Sequence, residues 1–568
     1  MVEIAPFAPF FVAAALALLL RGWPRGLLLV LLPLAGLANL WLLGEGSFGT
    51  WSVLDFQLLL FRADRLSLLF GYLFHVAALI AIIYSLHVRD TLQQVASLLY
   101  AGSALGAVFA GDLLTLFIFW ELLALTSVFL VWARRSGRAY MAGLRYFTLH
   151  ILSGLLLLGG IILHGQAHGS LAFGHMGLEQ NGFAGVGSWM IFLAFGIKCA
   201  FPFVHNWLTD AYPESTPTGT VFLSAFTTKV AVYALARAYP GTELLVYIGA
   251  TMACFPIFYA VIENDLRRVL AYSLINQLGF MVVGIGIGTS LAINGAVAHA
   301  FNDVIFKGLL FMSMGAVLKM TGRINGSELG GLYKTMPKTT VLCIIGAASI
   351  SAFPLFSGFV SKSMVMSAAI GNGHDWVWLI LLFASAGVFH HAGIKIPYFA
   401  FFAHDSGLRA EEPPVNMLLA MSIAAALCLA VGIYPQALYQ LLPYETAYTP
   451  YDVTHVLTQL QLLFFSALAF VWLNLRRLYP PELPSVNLDV EWLYRRLLPE
   501  AARGLVAGVF RLDARLRGAA LKGIGYLMET VAGHHKPDGI MARSWLTGSM
   551  AAGVVVLLGI YLALGFAA

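Results

Sequence analysis

Apolar residues run along this chain in long continuous stretches, separated by short polar loops. They lie at 4–20, 26–44, 66–88, 94–110, 113–133, 139–164, 187–206, 217–239, 243–262, 269–289, 291–318, 339–370, 376–403, 415–438, 455–475 and 546–566. A helix needs about 20 apolar residues to cross a bilayer, so the pattern predicts sixteen membrane helices. A β-barrel is excluded, because its strands alternate apolar and polar positions. The first stretch lacks a basic leader and a small-residue cleavage site, and reads as a membrane helix rather than a removed signal peptide. Between the second and third stretches, Thr50–Leu54 and Phe56–Leu60 flank Asp55 and predict a small extended hairpin on the membrane surface.

The loops carry their positive charge alternately. Loops after odd-numbered helices hold Arg21, Arg25, Arg89, Arg134, Arg135, Arg138, Arg267, Arg268, Lys319, Arg323, Lys334, Lys338, Arg409, Arg476 and Arg477. Those after even-numbered helices hold only Arg62, Arg65 and Arg237. Since short cytoplasmic loops collect Lys and Arg, both termini are expected outside and the odd loops in the cytoplasm. A different pattern fills 479–545. After Pro480, Pro481 and Pro484, an apolar stripe through Val490, Leu498, Leu505, Val509, Leu512 and Leu516 predicts an amphipathic helix over 488–532, bent near Pro499. Arg495 and Arg496 suit the anionic cytoplasmic leaflet. This helix is either a surface-lying tail or a strut across a neighbouring membrane subunit.

Composition narrows the class. Hydrophobic residues make up 60% of the chain and charged ones 11%, against about 25% charge in soluble domains. A soluble enzyme, a nucleic-acid binder and a disordered scaffold are excluded. The net charge of +5 records the loop asymmetry rather than an acidic partner. Cys199, Cys254, Cys343 and Cys428 sit in apolar segments without metal or redox spacing and are read as packing residues. No cofactor and no metal site is expected.

Candidate chemistry lies in the few charges that the loops do not absorb. Glu121, Lys198, Lys229, His299, Asp303, Lys307 and Lys362 fall well inside five of the predicted helices. One buried glutamate is explained by neutrality and one lysine by snorkelling. Seven such residues, each costly in a membrane, point instead to a proton relay, because protonation of buried lysines and carboxylates follows their neighbours. His299, Asp303 and Lys307 recur every four residues and share one helix face. Pro202 interrupts the helix of Lys198, and Pro354 that of Lys362. Counting helices four to eight and nine to thirteen as two blocks, each break falls in the fourth member, the signature of inverted repeats with ion sites at the breaks. His205, three residues past the first break, is a relay entrance or a cap of the broken helix. His390, His391 and Lys395 could extend the relay toward the far side; adjacent histidines lack helical metal-ligand spacing. His75 and His150 are read as packing residues with a satisfied hydrogen bond.

These residues sit in motifs that resemble a known family. Trp120-Glu121-Leu122-Leu123, Lys198-Cys199-Ala200-Phe201-Pro202 leading to His205-Asn206-Trp207-Leu208, Asp265-Leu266-Arg267-Arg268-Val269-Leu270-Ala271-Tyr272-Ser273, Lys307-Gly308-Leu309-Leu310-Phe311 and Gly358-Phe359-Val360-Ser361-Lys362 are similar to the antiporter-like membrane subunits of respiratory complex I and Mrp-type cation/proton antiporters. The terminal lysine leans toward the D subunit of the Mrp type. The resemblance implies an all-α fourteen-helix core, two inverted five-helix repeats and a midplane chain of charge. In that chain Glu121 pairs with Lys198, Lys229 continues the relay, the His299/Lys307 helix bridges the halves and Lys362 is terminal. Asp303 departs from the pattern, standing where many relatives have a second histidine. The tail, a fifteenth helix, an amphipathic stretch and a sixteenth helix, is similar in order to the distal complex I subunit; its roughly 45 residues span at most about 67 Å.

The expected organisation is 1–93 (three helices and the hairpin), 94–240 and 241–404 (the repeats), 405–454 (helix fourteen) and 455–568 (the extension). The expected function is proton translocation in a multisubunit Na+/K+ and proton antiporter of the cell membrane. Alternatives are a pumping subunit of a complex I-like dehydrogenase or membrane hydrogenase, and a proton-coupling subunit for inorganic-carbon uptake. Expected partners are other membrane subunits, lipid, monovalent cations and protons, with no nucleic acid. A transporter subunit is expected rather than a catalyst of covalent chemistry.

Overall fold

A computed structural model describes residues 4–53, 56–178, 181–445, 447–484 and 487–567. The chain divides into two units, Met1–Asn487 and Leu488–Ala568. Thirteen helices among the described residues are long and apolar enough to cross a membrane, and Ala8–Leu19, Gly182–Lys198 and Pro337–Ile350 are shorter apolar helices. Together they coincide with the sixteen predicted stretches, and the fold is the expected all-α membrane architecture. The predicted hairpin is present as strands Gly46–Val53 and Phe56–Ala63, antiparallel with Gly46 opposite Ala63. Phe61 packs edge-on against Phe109, and the Leu59 amide donates to Asp112 Oδ2 at 2.9 Å. Its turn, Leu54 and Asp55, lies outside the described residues.

Four of these helices are irregular: two carry the expected proline breaks, and two more the apolar pattern draws as continuous. The stretch 187–206 ends at Lys198 and resumes as Asn206–Glu214. The stretch 339–370 ends at Ile350 and resumes as Ser357–Gly371. The same local sequence breaks both: Ala200-Phe201-Pro202-Phe203 and Ala352-Phe353-Pro354-Leu355. Proline supplies no N–H and bars the helical conformation from the residue before it. Ala200 and Phe203 take φ of 60° and 71°, and Ala352 and Leu355 take 57° and 73°. Left-handed non-glycine residues cost about 1–3 kcal/mol each; Ala200 and Ala352 are held by burial, while Phe203 and Leu355 stay exposed. At the second break a Cβ on Gly358 would run into the Ser349 carbonyl, so glycine is what lets the two halves approach.

In the third case, 217–239 is divided into Pro217–Ala225 and Thr227–Ala238. The Tyr100 hydroxyl accepts the Thr227 amide at 3.1 Å, and a side chain inserted into the helix ladder kinks it. In the fourth, 376–403 is helical over Asp375–Val388 and then π-helical over Phe389–Lys395 and Tyr398–Phe402.

Internal repetition is visible in the caps. Asp112 and Asp265 each cap a helix, Leu113–Trp132 and Leu266–Ile287, and each bridges a distant strand-like residue, Ala172 and Asn325. Helices Gly137–His168 and Ser290–Thr321 are both 32 residues long, begin at Ser136 and Thr289, and end in left-handed Gly169 and Gly322. Positions 112 and 265 differ by 153, as do 136 and 289, and 169 and 322. This register places His150 opposite Asp303, and Gly154 opposite Lys307.

In the second unit a π-helical turn, Leu493–Leu497, leads into helix Leu498–His535 and then Thr547–Ala567. Pro499 stands in the first turn of the regular helix, where its missing N–H costs nothing, just after the change from π- to α-helix. The regular part is 38 residues, about 57 Å long. Leu505, Val509, Leu512 and Leu516 are exposed along it.

Candidate functional site

The bridging helix Ser290–Thr321 is buried over most of its length. His299, Asp303 and Lys307 are fully enclosed on it, one turn apart. Asp303 Oδ2 accepts from Lys229 Nζ at 2.5 Å, with both side chains wholly buried. Lys229 stands in the first turn after the kink and also donates to the Ser224 carbonyl at 3.3 Å. Asp303 Oδ1 is enclosed without a hydrogen-bond partner. One turn on, Lys307 Nζ donates to Ser273 Oγ at 2.7 Å. One turn back, His299 Nδ1 is 3.0 Å from Ser361 Oγ, while its Nε2 is enclosed and unpartnered. Asn302 donates to the same Ser361 hydroxyl and to the Ser357 carbonyl. Next to Ser361, Lys362 donates to Ile350 O at 2.7 Å, across the helix break. Its ammonium stands 5.2 Å over the Phe280 ring. The structure therefore buries Lys229, Asp303, Lys307, His299 and Lys362 together, with Ser273 on Lys307 and Ser361 on His299, two serines that the sequence pattern does not single out.

The other end of the predicted relay is built differently. Lys198 is the last residue of its half-helix, where the free carbonyls favour a cation. It donates to the Trp120 carbonyl and lies 4.4 Å over the Trp120 ring. The expected Glu121–Lys198 pair is thus a neighbourhood, with the ammonium on the carbonyl of the preceding residue rather than on the carboxylate. Glu121 is half-buried, and its Oε1 is enclosed without a hydrogen-bond partner against Gly154. A Cβ at 154 would occupy the space of that carboxylate. Gly154→Val is accordingly expected to displace Glu121 and cut transport at least about tenfold without loss of assembly, measured as subunit recovery and proton flux in vesicles.

His150 reads from the sequence as packing with a satisfied hydrogen bond. It does pack, with ring centroids 4.1 Å from Tyr146 and 4.5 Å from Trp207. Both its ring nitrogens, however, are enclosed without a hydrogen-bond partner, and it occupies the position that Asp303 holds in the second repeat. The 153-residue register is the sequence signal that would have found it. His75 keeps one bond, Nδ1 to Gly71 O at 2.8 Å.

Among the flanking candidates, His205 is buried against Phe255 at 4.7 Å at the start of Asn206–Glu214. His391 is enclosed with both nitrogens unpartnered, and His390 packs against Phe470 and Tyr479. Lys395 is buried as well. It donates to the carbonyls of Ala260, Val261 and Glu263 at 3.2, 2.6 and 2.7 Å, closing the end of helix Glu243–Ile262, and pairs with Glu482 at 2.8 Å. Burial pushes the Glu482 carboxyl above the usual carboxylate range, against the pull of Lys395. Lys395 thus latches the segment after Val453–Leu475 onto the core.

Residues 110–389 match the family model described as NADH:quinone oxidoreductase/Mrp antiporter, TM. Over 426 residues the chain is 30% identical to the A subunit of the Na(+)/H(+) antiporter of Alkalihalophilus pseudofirmus, covering 66% of this chain and 52% of that protein. Over 431 residues it is 26% identical to hydrogenase-4 component B of Escherichia coli, covering 67% and 63%. The chain thus spans about half to two thirds of these relatives' lengths. Its fold matches a chain of the Mrp complex from Dietzia sp. DQ12-45-1b with a TM-score of 0.78 at 24% identity, covering 99% of this chain and 66% of that one.

Proposed function

We propose that this chain, which matches the NADH:quinone oxidoreductase/Mrp antiporter membrane family over residues 110–389, is a proton-translocating subunit of a multisubunit monovalent cation/proton antiporter. The observation that carries the reading is the buried line of Lys229–Asp303, Lys307–Ser273 and His299–Ser361, with Lys362 next in sequence to Ser361. Titratable groups enclosed in a membrane core are kept for charge movement, and this line crosses between the two broken helices. Glu121 and Lys198 form the input half in 94–240, with His205 on the cytoplasmic approach, and Lys362 ends the half in 241–404. Loop charge sets both termini outside and the amphipathic helix on the cytoplasmic face.

Relatives named as subunits of a Na(+)/H(+) antiporter and of a probable K(+)/H(+) antiporter support sodium or potassium as the counter-ion. The test is Lys198→Ala in the assembled complex, assayed in everted vesicles with a pH-sensitive dye. A fall of at least about 100-fold is expected; an undiminished cation-driven pH change sinks the pathway. The likeness to hydrogenase-4 component B favours a second reading, a pumping subunit of a redox-driven assembly. Co-purification in mild detergent separates the readings. Small hydrophobic antiporter subunits support the first, iron–sulfur proteins the second, and a soluble zinc protein the inorganic-carbon role.

A further inference from the structure

We propose that the relay empties through the fifteenth crossing, by a hydrated outlet running from Lys362 past Ser367 to a His455–Asp452 pair. The proposal rests on the transport reading above and on its orientation, which puts the start of helix Val453–Leu475 at the outer face.

A cavity of about 220 Å³ opens beside Lys362. It is bounded by the second half of the broken helix, by the helix that follows and by the first turns of Val453–Leu475. Its walls are mostly apolar, but Ser363, Ser367, Thr458 and Gln459 line it with Lys362 and His455, giving a few polar partners to a volume large enough for several waters. At its far side Ser367 Oγ is 3.1 Å from His455 Nε2, and His455 Nδ1 is 2.7 Å from Asp452 Oδ2. Accessibility rises along this line: Lys362 is 2% exposed, and the side chains of His455 and Asp452 are 34% and 46% exposed. Gln459 donates to the Ser351 carbonyl at 3.0 Å, fixing the fifteenth helix against the break itself. The titratable groups facing His455 are Asp452, Tyr448, whose ring centroid lies 6.2 Å away, and Lys362 across the cavity. This helix stands outside the fourteen-helix core, so the core alone leaves the outlet without its outer wall.

The transfer balances simply. The Lys362 ammonium gives a proton through cavity water to the neutral His455 ring and becomes an amine. The imidazolium, stabilised by the Asp452 carboxylate, then releases that proton to the outer solution.

The test uses the full assembly in proteoliposomes, with the outer face oriented by a protected epitope. His455→Ala is expected to slow proton release about tenfold or more. Imidazole in the outer compartment should restore it, and imidazole in the inner compartment should not. Thr458→Trp, which fills the cavity, should block release even with imidazole present. A wild-type rate in His455→Ala while Lys362→Ala is inactive overturns the outlet, as does a loss that imidazole fails to rescue from either side. A wild-type rate in Lys362→Ala overturns instead the transport reading on which the outlet rests.

Discussion

Asp303→Asn is expected to bring cation-driven proton movement down at least about 100-fold while the subunit still assembles. Asp303 is the carboxylate of the enclosed cluster and takes its hydrogen bond from Lys229 at 2.5 Å. Around it stand three lysines, Lys229, Lys307 and Lys362, and the ring of His299, all buried. An amide of the same shape keeps the packing but removes the charge that lets Lys229 hold a proton and hand it on. A structural ion pair predicts the same loss, so stability must be read beside transport. Removing one partner of a buried pair costs about 3–5 kcal/mol, so Asp303→Ala should lower the thermal stability of the solubilised complex by that order. Replacing both partners with apolar residues of similar volume is near neutral. The Lys229→Met/Asp303→Leu double variant should therefore recover stability and remain inactive. Recovered transport in the double variant would make the pair a packing device and remove the centre of the relay.

The apolar pattern predicts the number of crossings and the bridging-helix face because both depend on local sequence: run length, and residues four apart in one regular helix. The breaks are legible only in part. Pro202 and Pro354 announce them, but a helix could end at either proline, and it ends at Lys198 and Ile350 because Ala200 and Ala352 take left-handed turns. Nothing in the sequence marks the kink at Phe226, since its cause, the Tyr100 hydroxyl, comes from a helix more than a hundred residues earlier. The site follows the same division. The seven-residue set, Glu121 and Lys198 included, stands out by being ionisable. Ser273 and Ser361 are ordinary serines until the fold lays them against Lys307 and His299. His150 hides behind its aromatic neighbours, and the sequence gives no sign that the Lys395 ammonium closes a helix end.

Arg267 illustrates how a motif carried by resemblance acquires a different role from geometry, and its replacement should have the largest effect on folding. The side chain is fully buried at the N-terminal end of helix Leu266–Ile287. It donates to the carbonyls of Pro213 and Ser215 at 2.9 and 3.1 Å, to those of Tyr212 and Thr216 at 3.2 and 3.3 Å, and to the Thr220 hydroxyl. Those carbonyls are the free end of Asn206–Glu214 and the turn into Pro217–Ala225, so one guanidinium closes a helix terminus and locks the chain between the first break and Lys229. Planar donors in a fixed fork suit this; a lysine offers a single point charge. Arg267→Met leaves several buried carbonyls unpaired, at about 1–3 kcal/mol each. The expected result is a loss of stability of at least about 3 kcal/mol, seen as poor recovery of the subunit and a lower midpoint of thermal aggregation in detergent. Arg267→Lys should recover only part of it. Transport per assembled complex should fall far less than in Asp303→Asn, because Arg267 positions the relay without carrying its protons. Full assembly of Arg267→Met with transport abolished would reverse that assignment and put Arg267 in the proton path.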